Sequence, residues 1–416
     1  MAHDHPGRLM SSAFTWLDHS DRERRKVLEA IDRFKETDTR DELGIAPIRD
    51  AFSDLFFPGT GVLMTRARYF LFVPWMYLEL ERKGFRDDIE TRGRRLETQL
   101  IETLGNEPGA IGKIAKGTLK RLPSSIYWLG LSTWGIRTFD GTHADYHRFI
   151  ESGANRAARE ARNDDGDLVG DGPARSWHGG LPRAPAAFPK TARLELTRVE
   201  ANYLRERIRL SAPGSMLALL LRSENLPDVA YPWMHPRFAD FPEEVRRALL
   251  HAQCFAEVMH GAAILYNLML AEADKRDSVD ALRARLTAWS EELQGRESEI
   301  RSWKVSDFWQ LTRSIANVHP RTFEFVNHWL ELTTWESPAK ASDDRTARAL
   351  LQMREQRLKG PRARLNNPRA LELWGGDSGT GRLVYRWPTG RRLIGDILEG
   401  LARGTVAGTV EETARA

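Results

Sequence analysis

Apolar residues along this chain recur mostly at three- and four-residue steps, the period of a helix with one buried face. Ile48, Ala51, Phe52 and Leu55 mark one such face, and Pro58-Gly59 stops it. Leu63, Ala67, Phe70, Leu71, Trp75 and Leu78 continue the pattern to Gly84, with Pro74 predicted to kink that helix by removing a backbone donor. The Thr39–Gly84 stretch therefore reads as two helices joined by Pro58-Gly59-Thr60-Gly61. It is entered through the capping-box spacing of Thr39 and Glu42, with Pro47 suited to a first helical turn.

The same period recurs on both sides. Ser20 and Glu23 predict a helix carrying Val27, Leu28, Ile31 and Phe34, and Ile89, Leu96, Leu100 and Leu104 mark another before Gly105. Thr197 and Glu200 form a further capping box, followed by Leu204 and Ile208. Pro242 opens the longest predicted helix, to about Ala273, and its apolar residues on several sides place it at the centre of a second domain. Beyond it, Leu282, Leu286, Trp289 and Leu293 share a face, and residues 306–316 and 320–335 make two more helices. Leu383–Trp387 reads as a strand before a last helix bearing Leu393, Ile394, Ile397 and Leu398, an ending like the edge of a winged helix.

These elements predict a mainly α-helical protein of two lobes with a minor C-terminal strand. The expected boundaries are a tail over 1–12, a helical domain over 13–150, a Gly/Pro/Arg-rich linker or surface loop over 151–192, a second helical domain over 193–402, and a disordered tail over 403–416. At 416 residues with 13 tryptophans the chain has ample material for a large core. A formal charge of +4 permits an acidic partner without requiring one. Cys254 is the sole cysteine, which excludes intramolecular disulfides and thiolate metal clusters. The first residues lack the apolar core of a signal peptide, and Leu249–Leu270 is interrupted by His251, Glu257, His260 and Asn267. The expectation is a cytoplasmic protein with no membrane partner.

Cations supply the main candidate chemistry. Arg345–Arg369 holds eight Lys/Arg against the single acid Glu355. Within it, Arg354, Arg357, Lys359, Arg362 and Arg364 are candidates for nucleic-acid phosphates, although a solvated basic helix has the same composition. Lys116, Lys120 and Arg121 lie beside Tyr127, Trp128 and Trp134, a mix that suits single strands, where rings stack on bases. The spacing of Trp128, Leu131 and Trp134 also fits core packing. Thr60 and Gly61 at a helix start, with Arg66 nearby, form a candidate anion site; paired charges that set how two helices cross are the structural alternative.

Other motifs stop short. Glu257 and His260 have the Glu-x-x-His spacing of di-iron proteins but lack the second pair and the further glutamates such a centre needs. His143 and His147 are four apart without the adjoining glutamate of a zinc protease, so exposed histidines are expected. LELWGGDSGTG, Leu371–Gly381, imitates a nucleotide-cradling glycine turn, yet only 35 residues follow, too few for an alternating strand–helix fold. It is read as a loop.

Three stretches also carry a resemblance: FTWLDHSDRERRKVLEAIDRF, LGIAPIRDAFSDLFFPGTGVLMTRARYFLFVPWMY and NNPRALELW with LVYRWP. Together, over roughly Phe14–Leu401, the chain resembles a bacterial family classed only as a domain of unknown function (DUF6361-like). Members often lie among phage-defence genes, beside helicases, phospholipase-D-like nucleases or methyltransferases. The resemblance implies a role in defence and assigns no catalytic residue. Gly59-Thr60-Gly61 departs from the Gly-Thr-Ser associated with the family. The expectation is a non-catalytic subunit of an anti-phage system, needing no cofactor, whose partners are nucleic acid or other defence proteins. Its rivals are a metal-dependent enzyme built on Glu257 and His260, and an adaptor whose basic helix meets an acidic protein.

Overall fold

The structure is a computed structural model, and it describes residues 41–85, 87–112, 119, 121–153, 176–334 and 343–403. The helix expected after Ser20 and the capping role of Thr39 lie outside those residues. The described residues are mainly helical. Two helices form the central unit, α1 (Ala46–Phe56) and α2 (Tyr69–Lys83). Asp41 caps the entry to α1, accepting from the N–H of Ile45 at 2.9 Å and of Ala46 at 2.7 Å, and Pro47 lies in the first turn. Ile48 and Phe52 are fully buried. Pro74 lies inside α2, and Gly84 closes that helix in the left-handed conformation, φ 66°, which glycine adopts without a Cβ penalty.

Around this unit run α3 (Ile89–Leu104), α4 (Pro123–Thr133), α5 (His143–Glu151), α6 (Arg198–Ser211) and the short α7 (Met216–Leu220). The predicted capping box is present on α6: the Thr197 hydroxyl accepts from Glu200 N, and Glu200 accepts from Thr197 N at 2.8 Å. Trp134, just past α4, is fully buried and stacks on Phe70 with centroids 3.8 Å apart; Tyr127 and Trp128 are buried too. The aromatics next to Lys116, Lys120 and Arg121 are thus core rather than a stacking platform.

The axis of the remainder is α8 (Glu243–Ala273), buried on nearly every side from Ala248 to Ala271. Among the described residues it is the helix long and apolar enough to cross a membrane by composition, but 83% of its most apolar window is buried against other elements. Against it pack α9 (Val279–Gly295), α11 (Val305–Ile315), α12 (Pro320–Thr334) and α13 (Arg345–Lys359), with α10 (Glu297–Ser302) between α9 and α11. The short α14 (Pro368–Glu372) and the last helix, α15 (Trp387–Ala402), close the chain.

Leu383–Trp387 does not form the expected strand. Tyr385 and Arg386 have φ of 46° and 60°, and α15 begins at Trp387. Two successive left-handed residues cannot continue an extended ladder. The apolar side chains of this segment are instead spent on burial: Tyr385 donates to Ala252 O at 2.7 Å and Trp387 to Val229 O at 2.8 Å. No strand is present among the described residues, so the winged-helix ending has no support in the fold.

Residues on either side of 151–192 share one hydrophobic cluster. Phe52 stacks on Phe308 and meets Tyr385, α15 packs on α6, and Arg66 reaches Asp396. Trp177, within the expected linker, is buried beside Tyr146.

Candidate functional site

The basic run is divided: Arg345, Arg357, Arg362 and Arg369 are exposed, while Arg354, Lys359 and Arg364 are held by other parts of the chain. Arg354 is 4% exposed and donates to Leu43 O (2.8 Å), Arg321 O (3.0 Å), Gly44 O (3.2 Å) and the Thr322 hydroxyl (2.8 Å). It clamps the turn before α1 onto α12. Lys359 pairs with Glu42 and Glu355, and Arg364 pairs with Glu42 at 2.8 Å. Burial favours a raised pKa for Glu42, but Arg364 and Lys359 outweigh it and hold the carboxyl below its ordinary range. Arg357 and Arg362 are exposed. Thus Arg354, Lys359 and Arg364 do not join Arg357 and Arg362 in one solvent-facing stripe. Arg121 is half-buried, and Lys116 and Lys120 lie outside the described residues.

Thr60, Gly61 and Arg66 do not converge either. The Thr60 hydroxyl donates to Phe57 O at 2.7 Å, while Arg66 grips Asp396 through Nε (2.8 and 3.0 Å) and Pro108 O through Nη1 (3.0 Å). Asp396 also accepts from Ala67 N at 2.7 Å. This is the pairing that sets a helix crossing, α15 against the start of α2.

Glu257 and His260 take different partners. Glu257 is held by Arg296 and by Gln253 at 3.0 Å, while His260 Nε2 contacts Thr380 O at 3.0 Å. Burial, then nearby Arg382, pushes the His260 pKa down to about 4. His143 and His147 are not exposed as expected. Their Nε2 atoms lie 2.5 and 2.9 Å from the Tyr77 hydroxyl, inside a cluster with Trp128, Tyr146 and Trp177. The Tyr77 hydroxyl is thus the shared hydrogen-bond partner of both rings. Among the described residues no three His, Cys, Asp or Glu side chains are grouped to hold a metal.

What the fold does assemble is a cleft of about 370 Å³ between α1 and the segment 378–392. One wall carries Asp41, Glu42, Leu43, Ile45, Arg49, Asp50 and Ser53; the other carries the glycine-rich turn and Arg382, Arg386 and Arg392. The turn is fixed from behind. Ser378 N donates to Asn267 Oδ1 and Asn267 Nδ2 to Ser378 O, both at 2.9 Å, and Arg285 donates to Thr380 O at 3.0 Å. Gly379 is left-handed, φ 67°. The Ser378 hydroxyl is buried with no hydrogen-bond partner among the described residues.

The electrostatics of the cleft are uneven. Asp41 is satisfied by the α1 amides, Glu42 by Lys359 and Arg364, and Asp50 bonds Arg49 at 2.9 Å. Arg386 is braced by Asp54 and by Thr60 O at 2.8 Å, and Arg382 by Glu292. Neither brace, Asp54 or Glu292, lines the cleft. Arg392 is exposed and has no carboxylate partner among the described residues. The lining acids are therefore each already held from the protein side, as are Arg49, Arg382 and Arg386, and Arg392 is the cleft guanidinium left without a carboxylate partner among the described residues. Rigid, planar donors of this kind suit the oxygens of a carboxylate or phosphate.

Sequence reading missed this constellation because Arg49 and Arg392 are more than 300 positions apart. The one available signal was the glycine-rich Leu371–Gly381 run, read as a plain loop. No curated protein and no solved structure matches the chain. The model of a Family of unknown function (DUF6361) matches residues 10–400, and the chain belongs to that family.

Proposed function

We propose that the protein is a non-catalytic binding subunit, associated with nucleic acid in a bacterial anti-phage system, and that its cleft between α1 and the glycine-rich turn receives a phosphate-bearing group of that nucleic acid. The observation supporting this is Arg392, exposed and without a carboxylate partner among the described residues, on a cleft that Arg49, Arg382 and Arg386 also line and whose acids are already held. Its volume falls in the range of small-ligand sites, about 300–1,000 Å³, enough for one nucleotide but not for a duplex. In this reading Arg382 and Arg386 are held ready by Glu292 and Asp54, the glycine turn allows close approach of a ligand, and Arg392 at the opening captures it. A companion enzyme performs any chemistry. The proposed location is cytoplasmic.

The test is binding of 5′-phosphorylated single-stranded and duplex oligonucleotides to the full chain by fluorescence anisotropy at 50 and 200 mM salt. Affinity should fall steeply with salt, and Arg392→Ala should weaken it severalfold without changing the melting temperature. Absence of binding at 50 mM salt, or an Arg392→Ala variant that binds as the parent does, overturns the reading.

A further inference from the structure

A second cationic surface lies at the start of α6. A shallow depression there is lined by Arg68, Arg193, Glu195, Leu196, Thr197, Arg198 and Arg403. Arg193, Arg198 and Arg403 are exposed, and none has a carboxylate partner within ion-pair distance among the described residues. Among the described residues the Arg403 side chain donates to Leu196 O, at 3.2 Å. Glu195 is the single acid of the lining. Glu200 is spent elsewhere, one oxygen on Arg68 at 2.8 Å and the other on Thr197 N. The local balance of the lining is therefore positive.

Two further features point to an anion. The capping box satisfies Glu200 N but leaves the first two amides of α6, Arg198 and Val199, without acceptors among the described residues. These amides carry the positive end of a helix 14 residues long. Independently, Arg68 is 7% exposed and lines the depression, and its Nε has no hydrogen-bond partner among the described residues. Its two terminal nitrogens are fixed, one on Arg193 O at 2.9 Å and one on Glu200, and the guanidinium lies over the Phe72 and Trp75 rings. The Arg68 guanidinium, fixed from behind, backs a depression in which open helix amides and three exposed guanidiniums without carboxylate partners among the described residues can supply several donors to one phosphate.

We propose that this depression binds a backbone phosphate of nucleic acid, a contact separate from the cleft, so that a strand is held at two places on the molecule. The inference rests on the nucleic-acid reading above. The depression is shallow and open, which suits a chain running across it rather than an enclosed metabolite. It also moves predicted phosphate contacts from α13 and the turn after it, where Arg354, Lys359 and Arg364 are spent internally, to the start of α6.

The experiment compares the full-length parent, the triple variant Arg193→Ala/Arg198→Ala/Arg403→Ala and Arg392→Ala. Oligonucleotide affinity is measured across 50–200 mM salt, with inorganic phosphate titrated separately by calorimetry. The three substituted side chains are exposed, so the triple variant should keep the parent's melting temperature. Its oligonucleotide affinity should drop at least tenfold at low salt, and the slope of log K against log salt should lessen by about 2–3, roughly one per lost contact. If the parent binds, Arg392→Ala weakens it and the triple variant does not, the depression is refuted while the cleft stands. If the triple variant loses only inorganic phosphate, the backbone assignment is refuted in favour of a free anion. A parent that ignores nucleic acid at low salt overturns both proposals.

Discussion

Arg354 and Arg357 stand one turn apart on α13 and test how far a cationic sequence can be trusted. Arg354→Ala deletes four donor contacts, three of them to the main-chain carbonyls of Leu43, Gly44 and Arg321. It also removes a guanidinium packed 4.9 Å from the Phe325 ring centroid. Each stranded buried carbonyl costs about 1–3 kcal/mol, but the helix end can relax and admit water, so the expected loss is about 3–5 kcal/mol. For a chain of this length an unfolding entropy of about 2 cal/mol/K per residue turns that loss into a melting-temperature drop of roughly 3–6 °C. Arg357→Ala, on the exposed side, should stay within about 0.5 kcal/mol of the parent. The assay is calorimetric or fluorimetric melting of both variants, with oligonucleotide binding measured alongside. Should Arg354→Ala melt with the parent and lose nucleic-acid affinity, the buried-clamp argument is wrong and the sequence-level assignment of Arg354 to phosphate was right.

Three further outcomes follow from buried groups. Glu97 is buried, accepts from Ser124 N and Oγ at 2.8 and 2.7 Å, and has its pKa pushed up to about 7, chiefly by loss of solvent. The folded chain therefore binds this proton more tightly than the unfolded chain, and stability falls as pH rises from about 4.5 to about 7. Glu97→Gln should flatten that fall and raise stability at pH 8 by about 2–3 kcal/mol, read from denaturant midpoints; an unchanged pH profile would contradict it. Glu42 behaves oppositely: its lowered pKa makes its contribution complete above about pH 4.5 and lost as pH drops through the folded value, so Glu42→Gln should cost about 2 kcal/mol at pH 7 and progressively less in acid. Gly261→Ala would place a Cβ 2.2 Å from the Trp289 ring, whose Nε1 is tied to Glu257 O at 2.7 Å. A loss of about 1–3 kcal/mol is expected from overpacking, and a neutral result would show that the α8–α9 contact yields.

The helices themselves were legible because their signals are local. The Thr197–Glu200 box, the stops at Gly84 and Gly105, and the faces of α8 and α9 follow from neighbouring residues, and the described structure carries all of them. The strand expected at Leu383–Trp387 failed because its alternation of apolar side chains served burial against α8 and Val229 instead of a ladder.

Charge was the property the sequence stated least well. Composition determines how many guanidinium and carboxylate groups the chain owns, and periodicity determines which helices exist to carry them. Whether a given cation meets water or an acid depends on partners hundreds of positions away: Glu42 for Arg364, Asp396 for Arg66, Asp54 for Arg386. Ion pairing acts over a few ångströms of space and ignores distance along the chain. The packing of α1 against the C-terminal segment therefore decided which arginines are structural and which remain open at the cleft and at the start of α6.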